Sequence, residues 1–138
     1  MQTVDQCRFH AVRLTPGQDL RREIEKLNAF AGIRAGFVLS AAGSLTRVAL
    51  RLANQQHTHV MEGHFEIVSL AGTTGPDGLH LHMAVSDVRG VTTGGHVMEG
   101  CTVFTTVELV LGEAIGLVFH RETDPATTFK ELSIQRTQ

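Results

Sequence analysis

Residues 79–97 read LHLHMAVSDVRGVTTGGHV, two strands joined by a tight loop. Side chains of a strand alternate between faces, so Leu79, Leu81, Met83 and Val85 take one face. His80 and His82 take the other, with Cα atoms roughly 6.5–7 Å apart. The segment Ser86-Asp87-Val88-Arg89-Gly90-Val91 fits a three-residue hairpin loop, a type I turn closed by a left-handed glycine, here Gly90. Such a loop pairs Asp87 with Val91. Counting back along both arms sets His96 opposite His82 on the same face, with Cβ atoms roughly 4.5–5.5 Å apart. Three imidazoles then share one patch. A bulge at Gly94-Gly95 would turn His96 to the other face, so the patch depends on those two residues.

The pattern on either side extends this into a sheet. Residues 7–14 open the chain as a strand, and Thr15-Pro16 offers an N-cap followed by a proline suited to a first helical turn. Leu20, Ile24, Leu27 and Ala31 form an apolar stripe at helical spacing, and Gly32 ends it. Further strands are expected over 34–42, 45–53, 64–71, 103–111 and 114–119. Their junctions are Gly43-Ser44, residues 72–78 and Gly112-Glu113. Short connections favour antiparallel neighbours. The fold class is therefore α+β, an antiparallel-rich sheet with one principal helix. FVLSAAG and VFTTVELVLG are apolar on both faces, which predicts a second sheet or another subunit against the far side. The polar end, Ser133 to Gln138, is expected to fray.

A length of 138 residues suits a single domain, 1–138, with its core over about 7–120. Apolar residues at 42% and charged residues at 19% describe an ordinary globular chain. The N-terminus resembles no secretory leader and no stretch has membrane-spanning length, so the expected location is the cytoplasm. In a reducing compartment Cys7 and Cys101 are expected to be small buried apolar groups. A net charge of −2 gives no global positive field, and without Trp or Tyr the chain almost lacks stacking aromatics, so nucleic-acid binding would need a local patch.

Neutral imidazoles suit zinc, and three of them leave a fourth tetrahedral position open, as in catalytic sites; nickel, cobalt or iron could substitute. Eight histidines in 138 residues also produce a His-x-His by chance, on a solvated or inter-subunit face. His57-Thr58-His59, with His64 beyond it, is a second such motif, but no hairpin brings it a third ligand. His10 and His120 are given no role. Glu66, Glu99 and Glu108 are acid/base partners by type, although alternation from His96 sends Glu99 to the opposite face. Arg47 and Arg51 share a strand face and read as a solvated or interface pair.

Taken in order, GHFEIVSLAG (63–72), Leu79-His80-Leu81-His82, Gly94-Gly95-His96 and Glu99-Gly100 resemble the signature series of the PPC family, the plant and prokaryote conserved domain of unknown function. The helix followed by Ala41-Ala42-Gly43-Ser44-Leu45 and the stretch Thr106-Val107-Glu108-Leu109 extend the likeness from about Cys7 to Phe119. The resemblance implies a homotrimer, a fold similar to acetolactate decarboxylase, and a metal, commonly zinc, held by His80, His82 and His96. An ion on three histidines would polarise a carbonyl or lower the pKa of its bound water, so the expected function is metal-dependent small-molecule binding or lyase- or hydrolase-type chemistry. Plant members add an AT-hook, an Arg-Gly-Arg-Pro element for the minor groove, which this sequence lacks. The alternative is a trimeric DNA-binding or protein-interaction module without catalysis.

Overall fold

The computed structural model describes residues 1–137. In chain order the elements are β1 (Cys7–Leu14), α1 (Leu20–Ala31), β2 (Gly36–Arg51), β3 (His59–Gly75) and β4 (Gly78–Asp87). These are followed by β5 (Thr92–Val97), β6 (Thr102–Ala114), β7 (Leu117–Thr123) and β8 (Lys130–Arg136). The first six strands form one antiparallel sheet in the order β1-β6-β2-β3-β4-β5, while β7 and β8 pair separately. Strand β5 also pairs with the end of β2, through Leu50↔Val97 and Arg51↔His96. The sheet thus curls so that β2, β3, β4 and β5 form a closed ring, and β5 is hydrogen-bonded on both sides. The expected α+β, antiparallel-rich architecture with one helix is the one observed.

The inward face carries Leu45, Val48, Leu50, Leu81, Met83, Val85, Val97, Val107 and Leu109, all buried. Leu20 and Ile24 of α1 seal that face; burying each contributes about 1.5–3 kcal/mol. The helix starts later than Thr15-Pro16. Those two residues lie in a turn, and Asp19 is the N-cap, its Oδ1 accepting from the Arg22 amide at 3.0 Å. A carboxylate at that position satisfies an otherwise unpaired amide and favours the helix dipole.

Two expected junctions turn out to be strand interior. β2 runs unbroken through Gly43-Ser44, and β6 through Gly112-Glu113. At Gly43, φ is 150° and a Cβ would collide with the Thr106 carbonyl, so this glycine permits close strand approach and does not end a strand. β3 likewise begins at His59, earlier than the expected 64. The C-terminal segment is also more ordered than anticipated: Ser133 to Arg136 lie in β8, with Leu117 opposite Arg136, and Gln138 lies outside the described residues. Cys7 is exposed at the start of β1, whereas Cys101 is buried as expected, and both are free thiols. Burial pushes the Cys101 thiol up to about 11. Phe9, Leu39, Val68 and Phe104 remain exposed in the single chain.

Candidate metal centre

The β4–β5 hairpin closes as its sequence requires. The Asp87 amide donates to the Val91 carbonyl at 3.0 Å, the Gly90 amide donates to Asp87 O at 2.9 Å, and Gly90 has φ 79°. Asp87 Oδ1 accepts from the amides of Arg89 and Val91 at 2.8 and 2.9 Å, which holds its carboxyl below the usual range. From Ser86↔Thr92 to His82↔His96 the register is unbroken, so Gly94-Gly95 forms no bulge. The absence of side chains there serves another purpose: a Cβ on Gly95 would lie 2.7 Å from the Arg51 carbonyl. Only a glycine lets β5 lie against β4 and β2 at once.

His80, His82 and His96 therefore converge. His80 Nε2 stands 3.2 Å from His82 Nε2, and one ligand nitrogen from each ring lies within 4.8 Å of the other two. Zinc–nitrogen bonds of about 2.0–2.1 Å in a tetrahedron place nitrogens roughly 3.3–3.4 Å apart. The closest pair already meets that spacing, and small ring rotations would bring in the third. Two of the rings are suited in charge as well. Burial first, then the charge on Arg51, holds His96 down at about 4. His80 is lowered by burial and then by Arg121. Neutral imidazole is the ligating form.

Arg121 adds a constraint. Its guanidinium lies 3.3 Å from His80 Nδ1 and donates to Thr73 Oγ1 at 2.6 Å. Arginine only donates, so this contact needs a lone pair on Nδ1 and puts the His80 proton on Nε2, facing His82. A ligand on Nε2 needs the other tautomer. Occupancy of the patch and the Arg121–His80 contact are thus mutually exclusive.

Two clefts meet at the patch. One of about 390 Å³ is bounded by His80, His96, Leu79, Arg51 and Arg121, with Glu131. The other, of about 460 Å³, adjoins all three histidines, Arg51 and Gly94-Gly95. Arg51 is therefore a site residue, whereas Arg47 turns away to the Gly100 carbonyl at 2.9 Å. The pair shares a strand but not a role.

Other expectations separate in the same way. His57 and His59 border a different cleft, and His64 lies against Phe104 with ring centroids 5.5 Å apart. Among the described residues only His80, His82 and His96 form a group able to hold a metal. His10 lies 3.6 Å from buried Glu113, and His120 Nδ1 is 2.8 Å from Asp77 Oδ2. Glu99 pairs with Arg22 at 2.7 Å, and neither it nor Glu66 nor Glu108 borders the clefts at the patch. The carboxylates that do are Asp77 and Glu131, which sequence reasoning passed over. No local pattern marks them, since Arg121 lies 41 residues from the histidine it touches.

An antiparallel sheet with one helix and a three-histidine patch defines a class of small α+β domain. The Plants and Prokaryotes Conserved (PCC) domain, the same family as the PPC signature series, matches residues 1–115, and the chain belongs to that family. It is 48% identical over 128 residues to the bifunctional protein GlmU of a Synechococcus strain, covering 93% of this chain and 20% of that protein. The chain thus spans about a fifth of that relative's length. A hypothetical protein from Salmonella has the same fold at 43% identity and TM-score 0.97, with all of both chains covered. Two more distant structures share the fold alone. The metal-containing protein AF0104 of Archaeoglobus fulgidus is 23% identical at TM-score 0.80, covering 91% of this chain and 93% of its own. A Bacteroides thetaiotaomicron protein with a provisional DNA-binding designation is 18% identical at TM-score 0.78, covering 91% of each chain. No described helix is long and apolar enough to cross a membrane.

Proposed function

We propose that His80, His82 and His96 hold a divalent metal, zinc first, and that the domain binds a small molecule there for lyase- or hydrolase-type chemistry. The observation that carries this reading is the convergence of three histidine ring nitrogens, the closest pair 3.2 Å apart, at the meeting of two clefts. The metal-containing Archaeoglobus relative supports it. When bound, such an ion polarises a carbonyl or acidifies a water molecule. Glu131 is the best-placed acid/base partner. It borders the cleft and accepts from the Thr127 hydroxyl at 3.0 Å, while Asp77 is already taken by His120 and the Arg121 amide.

Metal analysis of purified protein beside its His82→Ala and His57→Ala variants tests the site. We expect His82→Ala to lose the metal and His57→Ala to keep it. Full retention by His82→Ala would overturn the assignment. Self-association as a homotrimer belongs to the same reading, supported by the exposed Phe9, Leu39, Val68 and Phe104. A monomeric mass by light scattering would remove it.

The second reading, a DNA- or protein-binding module, rests on the designation of the Bacteroides relative. A net charge of −2 weighs against phosphate contacts. DNA affinity that falls steeply with added salt would reinstate that reading.

A further inference from the structure

Arg121 is held as a binding group, from both ends. Its amide donates to Asp77 Oδ2 at 3.0 Å, and its guanidinium donates to Thr73 Oγ1 at 2.6 Å. Asp77, on the β3–β4 turn, also takes His120 at 2.8 Å, so its carboxylate is spent on fixing the middle of β7. Its other terminal nitrogen, Nη1, reaches only a histidine ring, and among the described residues Arg121 forms no ion pair. Arg51 borders the same cleft from β2 and likewise forms no ion pair among the described residues. Two guanidinium groups that make no direct ion pair, facing a cleft that also holds Glu131, constitute a recognition element for planar oxyanions.

We propose that this cleft binds a small organic carboxylate. Its anionic end is taken by Arg121 and Arg51, its apolar body lies against Leu79 and Phe129, and its inner end is directed at the three-histidine patch. The inference rests on reading that patch as a ligand site and adds the substrate class. Charge selects an anion. Arg51, Arg121 and Lys130 border the cleft against Asp77 and Glu131, so cationic side chains outnumber carboxylates there even before the charge of a bound ion is counted. An apolar wall favours a carboxylate with a hydrocarbon body over inorganic phosphate. The contact between Arg121 and His80 also gives the site an order of events. Because a ligand on His80 Nε2 displaces the guanidinium from Nδ1, filling the patch frees Arg121 for the anion.

Calorimetric titration with benzoate, acetate and phosphate tests this, using metal-loaded and chelator-treated protein of measured metal content. Benzoate is expected to bind best. Arg121→Met and Arg51→Met should each weaken it roughly tenfold or more, as removal of a charge-assisted hydrogen bond does. Arg121→Lys should fall between, since it keeps the charge but not the fork, and Arg13→Met, on β1, should bind as the parent does. Phosphate binding more tightly than benzoate would overturn the inference. So would absence of benzoate binding to either form, or affinity unchanged in both Met variants. If Arg121→Met fails to fold, unchanged affinity in Arg121→Lys overturns it instead. The two readings fail separately. Arginine-dependent benzoate binding to a protein that takes up no metal sinks the metal assignment alone, whereas retained metal with arginine-independent binding sinks the carboxylate site alone.

Discussion

Two hairpins build the candidate site, and they differ in what fixes them. The β4–β5 hairpin sets His82 against His96 through a loop of three residues, so its register is a local property. The β7–β8 hairpin brings Arg121 and Glu131 to the same cleft, but nothing within it dictates where it docks. It is held from outside, by the Phe119 amide on the Arg34 carbonyl at 2.9 Å and by Asp77 on the Arg121 amide. It also lies beyond the residues that match the family, which end at 115. The three candidate ligands and the groups that would read a substrate therefore come from segments positioned in different ways. One hairpin supplies the histidine patch, and the other supplies what surrounds it.

The largest effect should come from disturbing the local hairpin where the ring of strands closes. Gly95→Val places a branched side chain where even a bare Cβ would lie only 2.7 Å from the Arg51 carbonyl, so β5 must leave β2 or shift. We expect a stability loss of about 2–3 kcal/mol in urea denaturation, the scale of an overpacked site. Metal should be lost with it, because the Arg51↔His96 pairing no longer orients His96. Parental stability with full metal would show that the register survives without this closure.

That same glycine shows how far the sequence could be read. Alternation along 79–85, the turn at Gly90 and the count to His96 are all short-range quantities, and the patch follows from them with the fold class. The role of Gly94-Gly95 was open because its cause is β2, whose Arg51 lies far away in sequence. The strand breaks expected at Gly43 and Gly112 failed for a related reason. A glycine that makes room for a neighbour, the Thr106 carbonyl at Gly43 or the Phe37 ring at Gly112, is indistinguishable, in one sequence, from a glycine that ends a strand. Thr15-Pro16 lost the helix start to Asp19, whose side chain caps the Arg22 amide and also reaches the Gly100 amide across the fold. Arg121, Asp77 and Glu131 carried no signal because docking of β7–β8 is entirely tertiary.

An intermediate effect should appear in the pH dependence of the chelator-treated protein, and it should belong to the β4–β5 side. His96 is held at about 4 by burial and by Arg51, against an unfolded value of about 6.5. Between those values the unfolded chain binds a proton that the folded chain refuses. Stability is therefore full above about pH 6.5, declines as pH falls towards 4, and levels off below that as far as this group is concerned. His80 is shifted in the same direction and adds to the slope. Arg51→Met should flatten the decline, because it removes the charge that opposes protonation of His96. Melting temperatures that do not change between pH 7 and pH 5 would refute this account of the patch.

The smallest effect, and the sharpest separation of the two hairpins, is expected from Asp77→Ala. Asp77 touches none of the three candidate ligand histidines; its bonds go to the Arg121 amide and to His120, which also hold its own carboxyl below the usual range. Without it β7 keeps its pairing to β8 and Leu117 and Val118 stay buried, but the start of the Arg121 side chain is no longer fixed. Metal content should match the parent, while benzoate affinity should fall by about threefold, the scale of one hydrogen bond made looser and not removed. A loss of metal as complete as in His82→Ala would mean that the C-terminal hairpin also holds the patch together, and the division between a ligand hairpin and a substrate-reading hairpin would fail. Unchanged benzoate affinity would instead place the positioning of Arg121 on Thr73 alone, which Thr73→Val would then reveal as the larger loss.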